Sequence, residues 1–132
     1  MSGLSSEVEK RKALADHYYD NYRKYLERGD RGKASEFIWG AIENLAYALG
    51  LLDGQKLGDH GKVRKYLAEL ATSLEDSQIP EGIIASEHIH ANFYHDYMDK
   101  DLFDYDRVKA EALAEKLAKI LMDRLRSREE QG

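Results

Sequence analysis

Apolar residues recur along this chain at three- and four-residue steps, and no stretch alternates apolar with polar side chains as a half-buried strand would. The pattern predicts five helices. The first covers about Ser6 to Arg28, with Val8, Leu14, Ala15, Tyr18, Tyr22, Tyr25 and Leu26 on one stripe, and ends at Gly29. The second, about Lys33 to Leu52, has the clearest period, running through Ile38, Ala41, Ile42, Leu45 and Leu49, and is expected to be the central helix. Trp39, Gly40 and Tyr47 fall outside that stripe. A tryptophan beside a glycine leaves a second surface that another helix can approach, from this chain or a second copy, so these three are candidate interface residues. The third helix is short, about Gly61 to Leu74, with Asp59 or His60 near its cap. The fourth opens at Pro80, whose missing N–H costs nothing in a first turn, and reaches about Asp99. The fifth, with Asp104 as N-cap, runs to about Arg128 and turns Val108, Ala112, Leu113, Leu117, Ile120, Leu121 and Leu125 inward; SREEQG reads as a frayed tail.

Short connections between long helices favour antiparallel neighbours. The expected fold is therefore all-α, an up-and-down antiparallel bundle of four long helices plus a shorter one, with residues 1–132 forming a single domain. A charged fraction of 34% fits long helices with solvated faces. The absence of cysteine excludes disulfides, zinc–thiolate sites, iron–sulfur clusters and a thiol nucleophile. No segment has the roughly 20 apolar residues that cross a bilayer, and MSGLSSEVEKRK is not of signal-peptide type, which places the chain in the cytoplasm, away from membranes. A net charge of −5 argues against a protein whose main task is to coat nucleic acid. Between Lys10 and Lys33, eight basic residues outnumber four acids, an excess that fits a solvated helix face better than a phosphate site.

Candidate chemistry is densest in SEHIHANFYHDYM, residues 86–98. At about 100° per residue, His88, Asn92, His95 and Asp99 project to one side of a helix while His90 points into an apolar, tyrosine-rich arc. Of a possible polar cluster of His88, His95 and Asp99, only His95 and Asp99 have the four-residue step of a helical metal pair, so no metal site and no cofactor are expected. His90 reads as a core histidine hydrogen-bonded by a neighbour such as Tyr94, because an unpartnered buried polar group costs about 1 to 3 kcal/mol.

The run Glu27 to Ala41 (ERGDRGKASEFIWGA), followed by His90-Ala-Asn-Phe-Tyr94, resembles the archaeal PaREP family, which is grouped with the HEPN superfamily of four- and five-helix bundles. The resemblance covers roughly residues 13 to 125. It implies an HEPN-like homodimer, either a ribonuclease or the partner of a nucleotidyltransferase-like protein in a toxin–antitoxin pair, with RNA as a further partner. The HEPN nuclease signature places an arginine four to six residues before a late histidine, but Ile84, Ile83 and their neighbours precede His90, and none is basic. Arg11 and His17 have that spacing in the first helix, where it reads as coincidence. The expected function is thus non-enzymatic: a dimeric interaction protein. The alternative is a metal-independent ribonuclease using His90, Asn92 and Tyr94, with Arg11 or Arg23 supplied from another helix. The same G-D…A-S-E run also resembles one tetratricopeptide unit, a fold that needs about three stacked copies, and no second match occurs at the 34-residue period.

Overall fold

The computed structural model describes residues 3–95 and 99–131; residues 1, 2, 96–98 and 132, and the side chains of residues 93–95, fall outside that description. The expectations for Tyr94 and His95 thus lie outside the described residues. Five helices form: α1 Gly3–Glu27, α2 Arg31–Leu52, α3 His60–Leu74, α4 Gln78–His95 and α5 Lys100–Gln131. Among the described residues there is no strand.

Side-chain carboxylates set most of the helix starts. Asp30 accepts the Lys33 N–H at 3.0 Å to open α2, and Asp59 accepts the Lys62 N–H at 2.9 Å to open α3. The start of α5 differs from the sequence expectation. Its cap is Asp99, which accepts the Leu102 N–H at 2.9 Å, a turn before Asp104. Asp104 instead pairs with Lys100 at 3.0 Å and Arg107 at 2.8 Å on the helix surface. Both acids fit the capping signature; the added turn lets Phe103 reach the core, where it is 1% exposed. Helix α5 also continues to Gln131, past the expected end at Arg128.

Helix α2 is the centre, touching all four others and burying 11 of its 22 residues. Its partner α1 runs in the opposite direction, since Arg11 meets Asn44, Tyr18 meets Gly40 and Tyr25 meets Phe37 in falling order. A Cβ on Gly40 would lie 3.1 Å from the Tyr18 ring, so this glycine brings α1 and α2 together within one chain. Helices α4 and α5 pair in the same sense, through Gly82 against Leu113 and His88 against Asp106. On α5 the buried seam is Phe103, Ala110, Leu113, Ala114, Leu117 and Leu121. Val108 and Ala112, expected inward, are exposed, because a seam with three- and four-residue steps from Phe103 passes to the other side of the helix. A Tyr22 hydroxyl donating to the Glu111 carboxylate ties α1 to α5, and Arg124 pairs with Asp53 at 3.1 Å to tie the end of α2 to the far end of α5.

Candidate binding site

Trp39 of α2 meets α3 and α4 through its ring and lines a hollow shared with α1. The indole is half-buried. His90 of α4 stacks on it with ring centres 4.6 Å apart and planes 4° apart, and His60 of α3 lies against it at 4.7 Å and 35°. The two imidazoles are 6.0 Å apart. Glu87, one turn before His90, anchors this end of α3: its Oε1 lies 2.7 Å from Arg64 Nε and 3.4 Å from His60 Nε2. Burial holds the His90 imidazole below its ordinary pKa of 6.5, and the nearby His60 adds to this, while Glu87 opposes it. At neutral pH His90 is therefore uncharged.

Beyond Trp39, a hollow of about 320 Å³ opens between α1 and α2. Tyr18, Phe37, Trp39 and Tyr47 wall it, with Glu36 and Glu43 at its edge. Arg11 reaches in from α1, places its guanidinium carbon 4.8 Å above the Tyr47 ring and donates to Asn44 Oδ1 at 3.1 Å. Asn44 is held in turn by donating to the Gly40 carbonyl at 2.9 Å. Burial pushes the Glu43 carboxyl above the usual carboxylate range, and its electrostatic interactions with His60 and Arg11 only partly offset this.

The residues singled out in the sequence scatter. Trp39 and Tyr47 face this hollow, and Gly40 forms part of its lining against Tyr18. His90 is half-buried against an indole and not sealed in the core. His88 turns the other way, exposed, with Nδ1 3.2 Å from Asp106 Oδ2. Asn92, expected on the same polar face as His88, is 0% exposed and lies 3.4 Å from Ser35 Oγ. One turn beyond His88 the helix has rotated by about 40°, enough to bring this position round to α2. Asp99 caps α5, and His95, the third member of the proposed polar cluster, lies outside the described residues; among the described residues no group of three or more potential metal ligands converges. Arg11 enters the hollow, whereas His17, six residues on, contacts Asn21, and Arg23 lies over Tyr19.

Sequence reasoning passed over Glu43, Arg64 and Glu87 and saw His60 only as a cap. Each lies on the polar side of its helix, and nothing local distinguishes it from other surface charges; their convergence comes from how α2, α3 and α4 meet.

Four of the six large apolar residues exposed among the described residues lie on α4 and the first turns of α5. Ile84 is 58% exposed, Leu102 54%, Tyr105 64% and Val108 57%. The Gly82–Leu113 approach and the His88–Asp106 contact lay α4 antiparallel beside α5, which brings Ile84 level with the turn of α5 just past Val108, while Leu102, Tyr105 and Val108 follow one another at three-residue steps along α5.

Among the described residues these features define a small all-helical bundle with an open aromatic hollow and an exposed apolar edge. Residues 10–119 match the model of the archaeal PaREP1/PaREP8 family, and the chain belongs to that family. No curated protein and no solved structure matches it. None of the described helices is long and apolar enough to cross a membrane.

Proposed function

We propose that this chain is a non-enzymatic interaction protein of HEPN-like type that works in the cytoplasm as a homodimer. The observation that carries this reading is the exposed edge of Ile84, Leu102, Tyr105 and Val108, since large apolar residues grouped on a surface mark association sites. Charges of both signs flank it, Lys100 and Lys109 on one hand, Glu81 and Asp101 on the other. A two-fold interface brings each residue of such a patch opposite its counterpart's neighbours, so a mixed patch can be its own complement. Pairing there leaves Trp39, Gly40 and Tyr47, the residues first considered for the interface, facing a different ligand. By the family resemblance, that ligand is a nucleotidyltransferase-like protein. RNA fits less well, because Arg64 is already at ion-pair distance from Glu87 and the hollow holds Glu36 and Glu43. Sedimentation of the wild type and Val108→Glu tests the reading: a dimer that Val108→Glu converts to folded monomer supports it, and a wild type that stays monomeric at about 100 µM refutes it.

The two imidazoles beside Trp39 favour one further reading, a metal-independent ribonuclease with neutral His90 as base. Asn92 is sealed against Ser35 and takes no part. Labelled RNA cut in the presence of chelator by the wild type, but not by His90→Ala of unchanged oligomeric state, would replace the first reading with this one.

A further inference from the structure

The hollow beside Trp39 has the composition of a receptor for a positively charged group. We propose that it binds one organic monocation, an alkyl guanidinium or alkylammonium group, against the faces of its aromatic walls and the carboxylates of Glu36 and Glu43.

Four observations converge on this chemistry. First, Tyr18, Phe37, Trp39 and Tyr47 are all half-buried around one space, and the negative face of an aromatic ring attracts a cation placed over it. Second, the protein already uses one wall this way, with the Arg11 guanidinium 4.8 Å above Tyr47. Third, the charges do not balance: Glu36 and Glu43 against Arg11 leave one net negative charge, which one monovalent guest neutralises. An anion would meet two carboxylates and find Arg11 donating to Asn44. Fourth, Glu43 is partly removed from water, and burial raises its pKa, so its charge is poorly solvated. A cation beside it relieves that cost. The volume of about 320 Å³ lies at the small end of ligand pockets, enough for a charged head and a short alkyl chain.

The same head group can arrive on a partner's arginine or lysine side chain or on a free amine, and the test separates these sources. The inference does not depend on self-association; a monomeric protein that takes up the cation leaves it standing. Trp39 is the sole tryptophan and reports occupancy by its emission. The full-length protein is titrated with butylguanidinium, putrescine and N-acetyl-arginine methylamide, with butyrate and inorganic phosphate as controls. Saturable binding of the cations below about 1 mM is expected, weakened about tenfold or more in Glu43→Gln, with the anions silent. Glu36→Gln provides a second variant at an exposed position where folding is not at stake. Equal binding of the capped arginine and butylguanidinium identifies a protein-borne side chain as the guest; rejection of the capped arginine alone identifies a free amine. Lack of saturation by every cation, binding that survives both substitutions unchanged, or binding of the anions instead would overturn the proposal.

Discussion

Gly82 is the tightest point between α4 and α5, and replacing it with alanine tests the packing that sets the exposed edge. The added Cβ would stand 2.6 Å from the Leu113 Cβ, 3.2 Å from its Cδ2 and 3.2 Å from the Lys109 carbonyl oxygen. Carbon atoms attract down to about 3.5 Å, so the helices must part by roughly 1 Å at this crossing. No rotamer change relieves the clash, because the nearest atom is a Cβ fixed to the α5 backbone and Leu113 is itself 2% exposed. Overpacking of this kind costs about 1 to 3 kcal/mol, and alanine returns about 1 kcal/mol through its better helix propensity. The net effect is a loss of up to about 2 kcal/mol. With an unfolding entropy of about 2.1 cal/mol/K per residue, the 132-residue chain should lose up to roughly 7 °C in Tm. Thermal unfolding followed by circular dichroism measures this, with Gly32→Ala as control. There the new Cβ meets nothing nearer than the Asp30 carboxylate at 3.8 Å, and a small gain is expected. A Gly82→Ala protein as stable as Gly32→Ala would refute the close approach.

Three further outcomes follow from the electrostatics. Glu43→Gln should raise Tm at pH 7, because it removes a carboxylate whose folded pKa is raised by burial; the penalty is present above that pKa and disappears as pH falls through it, so the gain should shrink in acid. Lowering the pH should weaken the fold through His90, whose folded pKa is depressed: its neutral form contributes fully above 6.5, and the contribution is lost as pH falls from there toward the folded value. Urea unfolding of the wild type and His90→Gln between pH 7.5 and about 5 measures this, and identical slopes in both would contradict it. Tyr22→Phe should cost about 1.5 kcal/mol, the low end for a hydrogen bond to a charged group, since Arg107 still holds Glu111 at 2.9 Å; a cost that persists when Glu111 is replaced by alanine would assign the effect to packing instead.

Much of the fold was legible in the sequence because helix periodicity survives wherever one face is buried. The α2 stripe from Ala34 to Leu49 is the buried face almost position for position, and Asp59, one of the two residues expected near the cap of α3, is its cap. The start of α5 was not legible, since Asp99 and Asp104 present the same local signature and the choice between them is made by Phe103 in the core. Val108 lies about 140° around the axis from Leu113, so it falls off the face that buries Leu113 and Leu117. The site was legible only in parts. Trp39, Gly40, Tyr47 and His90 stood out by residue type, but that His90 would lie on Trp39, and that Glu43 and His60 would gather beside them, depends on the placement of three helices on α2, which periodicity in one helix does not encode.

Because the chain contains no cysteine, a single introduced one reports the self-association surface without ambiguity. Tyr105→Cys, treated with a short bis-maleimide at low protein concentration, should convert largely to a covalent dimer of twice 15.2 kDa, while Glu36→Cys at the rim of the hollow stays monomeric on a denaturing gel. Efficient cross-linking through position 36 with none through position 105 would show that the copies meet across the hollow, contradicting pairing through α4 and α5.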